Sequence, residues 1–285
     1  MTGFKAKASP AASLELVTHP ESDQEYVHFE AWMGDGSKLP APKAAPFDPR
    51  SAGFSAVNAW WLSEAALLSY WNDGKARFAE RAGLRAEFLQ RSDARADTHC
   101  YVATAEDRSF TIVAFRGTQP ERGANVWSDV DFPRTQWREG EQVHEGFKHA
   151  LDVVWDDLAA ALRSVAGASV WFTGHSLGGA LATLAADRFA EPAGVYTFGS
   201  PRVGDPAFVS GFNRRHQDRS FRYVNDHDLV ATVPPSILGF GHVDSERRIE
   251  EKGTLSPSPG ASLLPAGVID HTPRRYSTFV WNALV

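Results

Sequence analysis

The stretch Val170-Trp171-Phe172-Thr173-Gly174-His175-Ser176-Leu177-Gly178-Gly179-Ala180-Leu181-Ala182-Thr183-Leu184-Ala185-Ala186 decides the fold. Ser169 to Phe172 is a short apolar run of buried-strand type, the glycines turn the chain sharply, and Leu177 onward carries the small and apolar residues of a packed helix. Gly174 and Gly178 flank Ser176, where side chains would collide as strand and helix close up. The pattern is that of a nucleophile elbow, which holds its serine in a strained backbone conformation. The helix start behind Ser176 offers free backbone N–H groups and the positive end of the helix dipole, so negative charge developing there is stabilised. A strand before the motif and an Ala- and Leu-rich helix after it argue against a glycine-rich turn without chemistry.

The elbow needs a sheet around it, and the composition allows one. With 285 residues, 43% hydrophobic and 22% charged, the chain suits one sizeable α/β domain rather than a disordered or fibrous protein. Its formal net charge of −6 and the lack of a basic stripe exclude nucleic acid as an expected partner. Cys100, the sole cysteine, rules out an intramolecular disulfide and sits in a strand-like run where a buried small hydrophobe is expected. Met1 to Pro10 has no apolar core of a secretory signal, and no run reaches the length of a membrane span. The expectation is a protein without a cleaved leader or transmembrane segment, either cytoplasmic or exported by a route needing no such signal.

Outward from the elbow, the pattern alternates. Upstream, after Val143-His-Glu-Gly-Phe147, a helix runs to about Val165 with Phe147, Ala150, Leu151, Val154, Leu158 and Leu162 on one stripe and is closed by Gly167. Strands are expected at Tyr101–Ala105 and Phe110–Phe115, and an amphipathic helix from Phe54 to Trp71, followed by a short one from Lys75 to Ala82. Downstream come strand Val195–Phe198, helix Asp205–Gln217, strand Phe221–Asn225 and a terminal helix from Asp270 to Leu284. Such alternation predicts a mainly parallel central sheet with helices on both faces, and the nucleophile elbow within it points to an α/β-hydrolase type of fold. Residues 1–50, with one strand-like run from Tyr26 to Trp32 and a proline-rich connector, read as an N-terminal extension, and residues 51–285 as the domain proper.

A serine hydroxyl needs a histidine as base and a carboxylate to orient it. In α/β hydrolases these follow the serine in the order acid then histidine, on loops beyond later strands. Strand Phe221–Asn225 empties into Asp226-His227-Asp228, leaving both aspartates as candidates, and only His242 and His271 lie further on.

Phe115-Arg-Gly-Thr118, Val143-His-Glu-Gly-Phe147, Gly174-His-Ser-Leu-Gly-Gly179, Tyr196-Thr-Phe-Gly-Ser-Pro-Arg-Val-Gly204 and Val224-Asn-Asp-His-Asp-Leu-Val-Ala-Thr-Val-Pro-Pro235 together resemble the class 3 lipases. These are the filamentous-fungal triacylglycerol lipases and their bacterial relatives. The blocks keep the family's order over about residues 54–285. The resemblance selects Asp228, which precedes an apolar pair and stands shortly before two prolines, and His271 in the terminal Asp-His-x-x-x-x-Tyr pattern. It implies an oxyanion hole built from the backbone N–H groups of Leu177 and Thr118. His144 and His175 are expected as hydrogen-bonded structural residues behind the site.

The resemblance implies a carboxylic ester hydrolase, a triacylglycerol lipase foremost, working through an acyl-enzyme without metal or cofactor. The same residues would serve a phospholipase A1 or a feruloyl-type or short-chain carboxylesterase, and a noncatalytic hydrolase-fold binding protein is the remote alternative. Residues 119–140 carry Val126, Trp127, Val130, Phe132 and Trp137 among charged neighbours, an apolar set large for a wet loop. Val126, Trp127, Val130 and Phe132 are therefore expected to line a lid or substrate contact and to make a transient contact with a lipid interface. A static connector whose aromatics belong to the core is the other reading.

Overall fold

The structure, a computed structural model, describes residues 16–18, 25–27, 46–70, 78–80, 82–118, 132–189, 191–225, 227–244, 246–249, 267 and 270–284. Its centre is a seven-stranded sheet made of β3 (Leu84–Ser92), β4 (Asp97–Ala105), β5 (Phe110–Phe115), β8 (Ser169–His175), β9 (Gly194–Phe198), β10 (Ser220–Asn225) and β11 (Glu246–Ile249). Two short pairs lie apart from it, β1 (Leu16–Thr18) with β2 (Glu25–Val27) and β6 (Arg134–Gln136) with β7 (Gln142–His144). Across the central sheet the order is β11-β10-β9-β8-β5-β4-β3. From β5 to β11 every pairing is parallel, while β3 and β4 join antiparallel at one side. The elbow strand β8 thus lies mid-sheet, flanked by β5 and β9.

Alternation along the central strands sorts side chains onto two cores. Val113 and Phe115 of β5 with Val170 and Phe172 of β8 meet α2 (Glu145–Ser164), α3 (Leu177–Phe189) and α4 (Pro206–Arg215). Ile112, Ala114, Trp171, Tyr196 and Phe198 point the other way, onto α1 (Ala56–Leu68) and α5 (Pro273–Leu284). The helices start where capping chemistry allows. Ser55 Oγ accepts from the Asn58 N–H, His144 Nδ1 from the Phe147 N–H, and Asp205 Oδ1 from the Phe208 N–H, with Pro206 in the first turn of α4. Gly167, at φ +96°, lies in the turn after α2.

Most expected elements appear within a few residues of their predicted ends. The stripe on α2 is buried throughout, as the helical spacing requires. The helix near residue 60 differs in kind: Asn58 to Leu68 are all buried, so α1 has no wet face. It packs on β8, β9 and β5 and is covered by α5, and a helix sheathed on both sides needs no polar stripe. Two sheet-edge strands, β3 and β11, were not expected. Leu84-Arg-Ala-Glu-Phe-Leu-Gln-Arg-Ser92 and Glu246-Arg-Arg-Ile249 are charged at alternate or successive positions, which hides a strand's apolar run while suiting an exposed edge. Of the short helix expected from Lys75 to Ala82, residues 78–80 and 82 are described as helical. Most of Tyr26 to Trp32 and all of the Gly253–Ser262 loop lie outside the described residues. At the end of the connector, Phe47 stacks on Phe110 with ring centroids 4.9 Å apart and meets Trp171 edge-on at 5.2 Å.

Candidate active site

The site is assembled at the carboxyl ends of the parallel strands. β8 ends at His175 and α3 begins at Leu177, leaving Ser176 alone in the turn at φ +58°. An L-residue holds that left-handed conformation only when its surroundings enforce it. The Ser176 N–H donates to the Phe198 carbonyl at 2.9 Å, and its own carbonyl accepts from the Gly179 N–H at 2.9 Å. A Cβ on Gly174 would run into the Gly178 carbonyl and lie 2.8 Å from the Gly179 nitrogen. This is the close approach expected from the elbow glycines. Leu177, half-buried, opens α3, where backbone N–H groups have no partner inside the helix.

The strand next to the elbow supplies a second wall. β5 runs into Arg116-Gly117-Thr118, and a Cβ on Gly117 would strike the Tyr70 hydroxyl and sit 2.6 Å from the His175 carbonyl oxygen and 3.1 Å from Ser176 Cβ. Only glycine lets this main chain lie flat against the serine. Thr118, half-buried, follows directly.

Beyond β10, the loop residue Asp228 is buried and its carboxylate is saturated with donors. His271 Nδ1 lies 2.8 Å from Asp228 Oδ2, and the Tyr276 hydroxyl donates to the same oxygen at 2.5 Å. Asp228 Oδ1 accepts from the backbone N–H groups of Val230 at 2.8 Å and Ala231 at 3.4 Å. A carboxylate beside Nδ1 makes that nitrogen the protonated one, so Nε2 is left with a free lone pair. Gly199, at φ +58°, lies against the pair: a Cβ there would be 2.7 Å from Asp228 Oδ2 and 3.0 Å from His271 Nδ1. Tyr276 is held in turn, its oxygen accepting from the Asn225 N–H at 2.9 Å. Burial and the neighbouring Asp228 carboxylate push its phenol far above the ordinary value, so it serves as a donor throughout the working range. His242 is occupied elsewhere, its Nε2 donating to the Ala231 carbonyl at 2.6 Å, and burial with help from Arg222 pushes its pKa down to about 4. Asp226 lies outside the described residues.

His175 connects the serine turn to the Asp228–His271 pair. Its ring lies over that of His271, centroids 4.5 Å apart, and its Nε2 is 2.6 Å from the His271 carbonyl oxygen. On the other side, Nδ1 meets the Tyr70 hydroxyl at 2.7 Å. Burial, and then the adjacent His271, hold His175 well below the ordinary histidine pKa, so it is a neutral ring.

A family model for lipase (class 3) matches residues 112–237, the span that holds most of β5, the elbow and the Asp228 loop. Over this span the chain is similar to the class 3 lipases. Among curated relatives, the lipase of Rhizomucor miehei is 34% identical over 169 residues, covering 53% of this chain and 44% of the relative. The secreted mono- and diacylglycerol lipase 1 of Fusarium solani is 33% identical over 153 residues, covering 51% and 46%. The match therefore spans less than half the length of these curated relatives. A solved triacylglycerol lipase whose catalytic centre is described as a serine protease triad superposes with a TM-score of 0.62 at 26% identity, over 75% of this chain and 91% of that one. Lipase II from Rhizopus niveus, at 23% identity and a TM-score of 0.62, shares the fold.

Val126, Trp127 and Val130 lie outside the described residues. Phe132 is half-buried and meets His144 and Phe240 edge-on, with centroids 5.8 and 6.5 Å away. Trp137 is fixed: its Nε1 donates to Asp187 at 2.7 Å and its ring packs across Phe208. Asp187, at 0% side-chain exposure, also receives Arg138, Arg215 and His216, tying the β6–β7 hairpin to α3 and α4. Among the described residues, no group of His, Cys, Asp and Glu side chains could hold a metal ion. No described helix is long and apolar enough to cross a membrane.

Sequence reasoning missed Tyr70, the donor role of Tyr276, and the fit of Gly117 and Gly199. Tyr70 lies 105 residues before its partner His175, and nothing in its local sequence distinguishes it from a core aromatic. The tyrosine in the terminal Asp-His-x-x-x-x-Tyr pattern was the one available signal for Tyr276.

Proposed function

We propose that this chain hydrolyses carboxylic esters of glycerol as a triacylglycerol lipase, with Ser176 as nucleophile, His271 as base and Asp228 as the carboxylate behind it. The observation that carries this reading is the Asp228–His271 pair, 2.8 Å apart, together with a serine held at φ +58° at a strand-to-helix turn whose preceding residue, His175, has its ring 4.5 Å from that of His271. Ser176 Oγ attacks the ester carbonyl as His271 Nε2 takes its proton, and Asp228 balances the imidazolium that results. The tetrahedral oxyanion is met by the backbone N–H groups of Leu177 and Thr118. Each such donor contributes about 10² to 10³ in rate. His271 returns the proton to the departing alkoxide, and water then frees the acid from the acyl-enzyme by the same steps.

Relatives named as lipases and as mono- and diacylglycerol lipases support an acylglycerol substrate. The apolar residues Val126, Trp127, Val130 and Phe132 support contact with a lipid surface through the segment after Thr118.

The test is hydrolysis of triolein, phosphatidylcholine and p-nitrophenyl esters of graded chain length by the wild type and by Ser176→Ala. The substitution should lower turnover by about 10⁶ while the circular dichroism spectrum is retained. A folded variant keeping more than a tenth of the activity would remove Ser176 from the mechanism. Preference for phosphatidylcholine over triolein would make the enzyme a phospholipase A1, and turnover of only short-chain p-nitrophenyl esters would make it an esterase.

A further inference from the structure

Four segments distant in sequence meet at one buried imidazole. Tyr70 follows α1, Gly117 follows β5, His175 ends β8, and His271 precedes α5. The hydrogen bonds among them have a single consistent direction. The His271 carbonyl can only accept, so His175 Nε2 carries the proton and donates to it at 2.6 Å. In a neutral ring Nδ1 must then accept, which obliges the Tyr70 O–H, at 2.7 Å, to donate. The Tyr70 oxygen in turn receives a backbone hydrogen bond from Gly117. The chain runs from the Gly117 N–H through Tyr70 and His175 to the main chain of His271.

Resting on the proposed roles of Ser176 and His271, we infer that His175 is a positioning residue, which fixes the main chain of the base relative to the Arg116-Gly117-Thr118 loop and does so as an uncharged ring. Two demands of the reaction meet there. The base and the oxyanion donors must keep their spacing to within a fraction of an ångström, because a displacement of about 1 Å can cost about 10² in rate. His271 must also become cationic beside Ser176, and a second imidazolium with its ring centroid 4.5 Å away would oppose that step. Among the described residues, the ionisable side chains around His175 leave it no counter-charge. Tyr70, His271 and Tyr276 surround the ring, Arg116 is near Tyr70, and the Asp228 carboxylate is engaged by His271 and Tyr276. Burial pushes the Tyr70 phenol upward, so it stays a donor. A glutamine amide reproduces this pattern, with an oxygen to accept from Tyr70, an N–H₂ to donate to the His271 carbonyl, and no titration. A phenylalanine ring fills the space and does neither.

The experiment compares wild type, His175→Phe, His175→Gln and Tyr70→Phe by the second-order rate of Ser176 labelling with a fluorophosphonate, and by kcat and KM on p-nitrophenyl butyrate. His175→Phe should slow labelling by about 10² and act on kcat with KM little changed. His175→Gln should recover most of that loss, and Tyr70→Phe should lose about tenfold, one hydrogen bond of the chain being broken. Equal rates for the phenylalanine and glutamine variants, both folded by circular dichroism, would make His175 a packing residue and overturn the inference. If His175→Phe does not fold, Tyr70→Phe decides, and an unchanged labelling rate there overturns it equally. A wild type that the probe does not label would instead defeat the proposed function.

Discussion

Asp228→Asn tests the proposed triad at its most constrained atom. The carboxylate accepts on both oxygens, with Oδ1 facing the Val230 and Ala231 N–H groups and Oδ2 facing His271 Nδ1 and the Tyr276 hydroxyl. An asparagine amide can be oriented in two ways, and the backbone chooses between them. Turning the NH₂ towards Val230 would set donor against donor in a buried site, a conflict worth about 1–3 kcal/mol for each unsatisfied group. The amide oxygen therefore takes the Oδ1 place and the NH₂ faces His271. There it can only donate, so the imidazole must offer Nδ1 as an acceptor and carry its proton on Nε2, the nitrogen that should receive the serine proton. The base is lost without any change of shape. The same substitution in a serine protease triad lowers turnover by about 10⁴, equivalent to about 5.4 kcal/mol at 1.36 kcal/mol per tenfold. Loss of one charge-assisted hydrogen bond accounts for about 1.5–3 kcal/mol of this, and the wrong tautomer for the rest. The assay is kcat on p-nitrophenyl butyrate, with circular dichroism as the control for folding and Asp226→Asn as the comparison, expected to cost under tenfold. A folded Asp228→Asn retaining more than a hundredth of wild-type kcat, or a larger loss at Asp226, would refute the assignment.

Gly117→Ala should reduce kcat by at least about 10², because its methyl would strike the Tyr70 hydroxyl and crowd the His175 carbonyl. Full activity would show that this loop does not press on Ser176. Asp187→Asn should destabilise the fold by about 1.5–3 kcal/mol at pH 7, since it removes the charged acceptor of the hydrogen bonds from the partly exposed Arg138 and Arg215. Burial alone would raise the Asp187 pKa, but bonds from His216, Arg215, Trp137 and Arg138 bring it below the ordinary value. A carboxylate with a depressed folded pKa stabilises fully above its unfolded pKa of about 3.9 and loses that contribution as pH falls towards the folded value. Urea unfolding of wild type and variant should thus show a gap that is constant near neutrality and narrows below about pH 4; a gap independent of pH would argue against a charged Asp187. Trp127→Ala should impair hydrolysis of emulsified triolein far more than that of monomeric p-nitrophenyl butyrate, and equal losses would make the segment scaffold.

The sequence by itself determined the repeating strand and helix order, the elbow at Ser176, and the buried stripe of α2. All of these depend on residues close together in the chain, where side-chain period and glycine placement act directly on the backbone. The choice of Asp228 over Asp226 and of His271 over His242 came from motif resemblance, because local composition is equally polar at both aspartates. Tertiary structure decided the rest. It enclosed α1 between the sheet and α5, where periodicity had suggested a wet face. It paired the charged strands β3 and β11 at the sheet edges, where a partner on one side suffices. Tyr70, His175 and His271 were brought into one hydrogen-bonded chain and Asp228 was given four donors. Each of those bonds joins groups whose nearness is set by the packing of whole elements, and a directional contact between distant residues leaves no periodic trace in either of them.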